Sequence, residues 1–363
     1  VWGIDCSMIS AEWVAQRIRG LSLASAVKNA FFKLNGKDVP SLVDAFLYPQ
    51  LGIGRISDRL KEDIEAGNNS VLTDSRIERI NHSDFKVESI VVKHLIPPHP
   101  PLLKGGRGDL SVIHGGEFIS SIPITKLVKM LHPAPPENIL TAASKLRFRD
   151  LVIVAVMINR KRVTDQTWIY IPEQKIPFGR LHEPTNWSEK MAPEGKTIIV
   201  AEFFSFKGEG LWSKSDEELT TITVENLENM GFIEKHEVMD SAVLRVPNAY
   251  PMFEVGYRER CDEIYEYLGR FKNPHITGRS GMFRYYNMDH AIESGIKTAE
   301  RIIKIQNEKS WKELTCHAEL VSASTVNDKN CLTPLSLTLS RKGRGNSPPL
   351  MGGDEGEGER GRP

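Results

Sequence analysis

A short apolar run from His275 to Thr277 reaches the pair Gly278-Arg279. An aromatic loop, Ser280 to Tyr286, then leads into a segment in which Ala291, Ile292, Gly295, Ile296, Ala299, Ile302 and Ile303 recur at helical spacing. The order strand, glycine-bearing loop, helix start constrains the chain more than any other stretch. Free backbone N–H groups and the positive end of a helix dipole converge at such a place, which suits an anionic or electron-rich ligand. Gly278 and Gly281 would let the backbone approach a ligand closely. Arg279 adds a fixed charge on a planar donor fork, and Asn287 is a good N-cap. The same residues also fit a surface loop that only caps a helix.

Other classes of function find less support. Lys+Arg and Asp+Glu are equal at 47 each, so no global field recruits nucleic acid or an anionic membrane. No apolar run approaches the roughly 20 residues of a membrane span. The cysteines, Cys6, Cys261, Cys316 and Cys331, are scattered without a C-x-x-C pair. They suit a reducing compartment, here read as the cytoplasm, and propose neither a zinc site nor a disulfide framework. No metal site is expected.

Along the chain, Ser10 to Phe32 reads as a helix and Leu42 to Leu47 as a short apolar stretch. Gly52-Ile53-Gly54 then opens a helix with Ile56, Leu60 and Ile64 on one face. Val71-Leu72, Ile77 to Ile80 and Val87 to Val92 predict a three-stranded meander. Pro97 to Asp109 interrupts this order: seven of its 13 residues are Gly or Pro, which continues neither sheet nor helix. From Cys331 to Pro363, 11 of 33 residues are Gly or Pro, a composition that predicts disorder. Both pieces resemble translated intergenic repeats of bacterial genomes. Between them lie a strand at Phe118 to Ile122, closed by Pro123, and helices at Ile124 to Leu131 and Glu137 to Leu146. Strands at Asp150 to Ile158, Trp168 to Ile171 and Ile198 to Phe206 suggest a mixed sheet with one face against helices. Ser215-x-x-Glu218 starts a helix with a capping pattern. A strand (Val238 to Val246), an aromatic turn (Pro247 to Phe253) and a helix (Tyr257 to Leu268) complete an α/β chain of mixed α+β character.

The run Gly278-Arg279-x-Gly281-x-Phe283-x-Tyr285-x-Asn287-Met288 resembles the C-terminal flavin-binding motif of an FAD-dependent superfamily. That superfamily holds amine oxidases, protoporphyrinogen oxidases and UDP-galactopyranose mutases. The resemblance extends more loosely from Val1 to about Ile305. Such proteins open on a strand, a G-x-G-x-x-G turn and a helix. No such turn is found; Gly52-Ile53-Gly54 is nearest but has the wrong spacing. The resemblance therefore implies a truncated reading frame that lacks its first ADP-binding unit.

By the same resemblance, the chain is a partial FAD-binding Rossmann-like domain with an inserted mixed-sheet substrate domain and a disordered C-terminal tail. Residues 1–55 would belong to the helical part of the substrate domain. Residues 56–131, with a low-complexity insert at 95–112, would form part of the FAD-binding domain. Residues 132–255 would be the substrate domain, 256–310 the C-terminal FAD-binding segment and 311–363 the tail. Gly278 and Arg279 would contact the pyrophosphate-ribityl part of FAD, and Asn287, Met288 and Asp289 the pyrimidine end of the ring. Ile77 would clamp adenine, and Ser121 would lie near ribose and phosphates. Tyr285, Arg180 and Tyr250 would face a small-molecule substrate, with Phe178, Asn186, Trp187, Glu202 and Phe204 as further candidates.

The implied activity is flavin-mediated hydride or electron transfer; no acid/base pair stands out, so no proton donor is named. A mutase of the UDP-galactopyranose kind is the alternative, although Phe283 and Asn287 stand where that motif carries a tyrosine and an acid. An inactive remnant is a third reading.

Overall fold

The computed structural model describes residues 3–11, 47–95 and 110–324, with side chains to 308. Most of the expected helix from Ser10 to Phe32, the run at 42–46, the insert at 96–109 and the tail at 325–363 lie outside the described residues. The chain divides into one compact unit, Val1–Ile302, and a second, Ile303–Pro363.

Helix α1 (Gly54–Ala66) forms as the spacing predicts, with Arg55–Asp58 and Arg59–Asp63 pairs along its surface. Its apolar positions Leu60 and Ile64 are nevertheless exposed. Strands β1 (Ser75–Ser83) and β2 (Lys86–His94) make an antiparallel hairpin. Asp84 and Phe85 turn it with φ of 47° and 55°, the backbone of a two-residue hairpin turn whose twist matches the strands. The third strand of the meander is β3 (Leu110–His114), which pairs with β2. Val71-Leu72 is not a strand, because the chain turns at Asn68 and Asp74, both left-handed, before β1 begins.

Strand β4 (Phe118–Ser120) leads through Pro123 into α2 (Ile124–Met130), and β5 (Leu131–His132) joins β1 in parallel. Helix α3 (Glu137–Ser144) precedes β6 (Phe148–Ile158), and β7 (Ile169–Tyr170), β8 (Arg180–His182) and β9 (Thr197–Ser205) follow. Helix α4 (Asp216–Asn229) starts at a closed capping box: Ser215 Oγ accepts from Glu218 N, and the Glu218 carboxylate accepts from Ser215 N. Strand β10 (Val238–Pro251) runs beyond the predicted end at Val246. The expected aromatic turn is a bulged continuation of this strand, pinned where Asn248 N donates to Asp150 Oδ1 at 2.6 Å. The sheet order is β10-β6-β9-β8-β7, and it is antiparallel throughout rather than mixed.

Helix α5 (Tyr257–Gly269) precedes β11 (Pro274–Ile276), which pairs in parallel with β4. The glycine loop then forms a single helical turn, α6 (Gly278–Gly281), and α7 (Met288–Ser324) follows. α7 thus runs on past the expected boundary at 310.

Two apolar clusters organise the first unit. One gathers Ile124, Val128, Ile139, Ala143, Ile264 and Phe283 among α2, α3 and α5. The other gathers Val152, Val154, Val156, Phe178, Phe203 and Leu227 between the five-stranded sheet and α4. Strand β6 enters both, through Phe148 in the first and Val152 onward in the second.

Candidate functional site

The register between β4 and β11 fixes the first part of the site. Thr277 N donates to Ser120 O at 2.9 Å, which carries the chain into α6 beside the end of β4. Gly278 takes φ of +74°, and Ser294 Oγ accepts from its N–H at 3.1 Å while bonding Thr277 Oγ1 at 2.7 Å. A Cβ on Gly281 would lie 3.1 Å from Ser120 O, so any larger residue would push this turn and β4 apart by a few tenths of an ångström. The turn is therefore a close-packed cradle rather than a loose cap.

Beside it lies an apolar cavity of about 240 Å³, walled by β1, β2, β4, β11 and α5. Two of the expected cofactor residues, Ile77 and Ser121, meet on its lining. Gly278 borders the same place, since a Cβ there would lie 3.3 Å from Ser121 Cβ.

Arg279 points to a second cluster. Its guanidinium carbon lies 4.7 Å from the Tyr250 ring centroid and 4.8 Å from that of Tyr285, and these two rings stack at 5.9 Å. Nη1 donates to Tyr286 O, whereas Nε and Nη2 are buried and meet no hydrogen-bond acceptor among the described residues. Burying guanidinium donors unmet is costly, and an anionic group is the acceptor that would meet them.

Across the Tyr250 hydroxyl, 3.2 Å away, stands Arg180 Nη2, which also pairs with the Glu202 carboxylate. Strand alternation places Arg180 and His182 on the face that meets Glu202, with His182 Nδ1 3.4 Å from Oε1. Burial alone would raise the Glu202 pKa, but His182 and Arg180 hold it below its ordinary value. Arg180 is correspondingly raised: burial opposes its charge and Glu202 more than offsets that. The Tyr250 hydroxyl is pushed up, mainly by burial. Beyond Arg180, Trp168 lies 4.5 Å from its guanidinium and packs against His182 and Trp187, and Tyr48 packs on Trp187.

The structure thus brings Arg279, Tyr285, Tyr250, Arg180 and Glu202 into one cluster and sets Ile77, Ser121 and Gly278 at the neighbouring cavity. Asn287, Met288 and Asp289 are exposed at the start of α7 and line neither. Of the other candidates, Phe178 is core, packed on Phe203, and Asn186 holds a loop. Phe204 lies 6.0 Å from Tyr250. Phe283 is also core, set among Phe148, Phe253 and Tyr257. Trp168 and His182 also stand in this cluster, though the sequence reading does not single them out. The two-residue period from Arg180 to His182, facing an acidic residue in the next strand, was the signal for His182. Among the described residues, no group of His, Cys, Asp and Glu could hold a metal, and no helix is long and apolar enough to cross a membrane.

A family model described as flavin containing amine oxidoreductase matches residues 14–303. No curated protein sequence matches the chain. Among solved structures, a reduced UDP-galactopyranose mutase superposes with a TM-score of 0.64 at 17% identity, covering 84% of this chain and 62% of that one. A putative protoporphyrinogen oxidase from Exiguobacterium sp. 255-15 gives a TM-score of 0.57 at 16% identity, covering 81% and 59%. At these identities the likeness is one of fold. The chain spans about three-fifths of the length of either relative.

Proposed function

Because the chain belongs to the flavin containing amine oxidoreductase family, we propose that it is an FAD-dependent oxidoreductase acting on a small organic substrate. When bound, the flavin supplies the hydride or electron acceptor, and the protein supplies position and electrostatics. Residues 56–131 and 256–310 are assigned to the cofactor and 132–255 to the substrate.

The residues present fit that group. Gly278 and Gly281 seat the turn closely against Ser120 and Ser121, and Ile77 and Ser121 offer an apolar wall with a hydroxyl edge. Arg279 supplies two donor nitrogens that meet no acceptor among the described residues, and this observation carries the reading most strongly. Asn287, Met288 and Asp289 keep their assignment to the ring's pyrimidine end, as residues at the start of α7. Arg180, Tyr250 and Tyr285 are assigned to the substrate, with Glu202 holding Arg180 in place.

Titration of the purified full chain with FAD tests this reading. Quenching of FAD fluorescence with saturable, roughly stoichiometric uptake is expected. A chain that takes up no flavin would be the remnant, not the enzyme.

A second reading has an observation of its own. Two guanidiniums flanking Tyr250 suit an anionic substrate better than a cationic amine. A UDP-galactopyranose mutase-like isomerase is therefore the alternative, and ring interconversion of UDP-galactose by the reduced protein would select it.

A further inference from the structure

Glu183 has the least exposed carboxylate in the chain's described residues, at 0% accessibility, yet it makes no ion pair among them. It follows β8 directly, so alternation turns it away from Arg180 and His182 and into the interior. Four neutral groups surround it. Oε1 accepts from Val163 N at 3.0 Å, from Thr197 Oγ1 at 2.5 Å and from Thr185 Oγ1 at 3.4 Å, and Oε2 accepts from Thr164 N at 2.8 Å. An unpaired buried carboxylate is expensive unless its lone pairs are met, and here two of the four donors are backbone N–H groups of one loop.

That loop is clasped a second time from the same segment. Asn186 Nδ2 donates to Thr164 O at 2.9 Å and to Gln166 O at 3.0 Å. Two residues further on comes Trp168, whose ring lies 5.1 Å from Trp187, 4.7 Å from His182 and 4.5 Å from the Arg180 guanidinium. Arg180 in turn reaches Tyr250. A fixed loop therefore means a fixed Trp168, and Trp168 covers one face of Arg180.

We propose that Glu183 is a positioning residue: its buried carboxylate sets the 163–166 loop, and through it the Trp168 ring that holds Arg180 toward the substrate. The consequence for substrate rests on the reading of Arg180 given above; the placement of Trp168 does not. Glutamine is nearly the same size but offers one acceptor and two donors, so in E183Q at least one loop N–H meets a donor instead of an acceptor.

The test reads the two indoles directly. Rings in contact give an exciton couplet in circular dichroism, which W168F would abolish. The couplet is expected in the full-length wild type and lost in E183Q, while melting remains cooperative. Glu183→Asp, which keeps the charge but draws the carboxylate back from the loop N–H groups by one methylene, is expected to weaken the couplet and serves as the deciding variant where E183Q does not fold. A wild-type couplet that persists in a cooperatively folded E183Q, or in Glu183→Asp where E183Q is unfolded, overturns the proposal and leaves Glu183 a purely structural residue. FAD titration of wild type and E183Q runs beside it. Absence of FAD uptake by the wild type would count against the flavin reading while leaving the couplet, and this proposal, standing.

Discussion

At the scale of single residues, the site depends on charges whose partners are few. Glu202 is 3% exposed and neutralises Arg180. Removing one partner of such a pair strands the other, at a cost of about 3 kcal/mol. E202Q is expected to lose about that much in urea unfolding near neutral pH. Because the folded pKa of Glu202 is depressed, its stabilising contribution is present above the ordinary value of 4.5 and is lost as pH falls through the lower folded value. The gap between wild type and E202Q should therefore close in that acid range; an unchanged gap would mean that the pair is not what stabilises Arg180. Arg279 presents the opposite case. With two donor nitrogens unmet among the described residues, its contribution to the fold is its contact with two rings and one hydrogen bond to Tyr286 O, together about 1–2 kcal/mol. R279M should thus cost no more than that in unfolding but weaken FAD uptake about tenfold or more, the loss of a charge-assisted hydrogen bond. Equal FAD affinity in R279M would reassign Arg279 to the substrate.

Elements show how far the sequence could be read. The Ser215 capping box, the Gly278 turn and the helix after it follow from short-range rules, and all are present. Long-range partners decided the rest. The meander takes its third strand from beyond residues 96–109, where local propensity favours Val71-Leu72. Spacing alone predicts an apolar stripe along α7, yet Ile292 and Ile296 are 47% and 55% exposed. The bonds from Thr277 and Gly278 to Ser294 set its inward face instead. Likewise, the meeting of Arg180 with Tyr250 joins β8 to the far edge of the sheet, and nothing local announces it. The turn at α6 yields a prediction of its own. Because the nearest atom to a Cβ on Gly281 is a backbone oxygen, Gly281→Ala must shift β4 or α6, at about 1–3 kcal/mol. Thermal melting should show the loss, and FAD uptake should weaken with it. A variant of wild-type stability would mean that the cradle is looser than it looks.

Over the whole molecule, the two apolar clusters divide the labour. The cavity lined by Ile77 and Ser121 shares Ile80, Val87, Leu127 and Leu131 with the first cluster, whereas the second underlies the sheet that carries Arg180 and Glu202. Ile264 and Val156 are fully buried, one in each cluster. Truncation to alanine at Ile264 should cost about 3 kcal/mol, and at Val156 about 2 kcal/mol, from lost transfer energy and the residual cavity. Since the two positions share no cluster, their effects on unfolding should add in the double variant. Their effects on ligand should not be alike. Ile264→Ala loosens α5, which walls the cavity, so FAD uptake should weaken; Val156→Ala should leave FAD uptake near wild type while altering the Arg180 face. Flavin titration at a temperature where every variant is folded measures this. Equal weakening by both substitutions would show that β6, which enters both clusters, transmits packing from one to the other, and that cofactor and substrate sides behave as a single body.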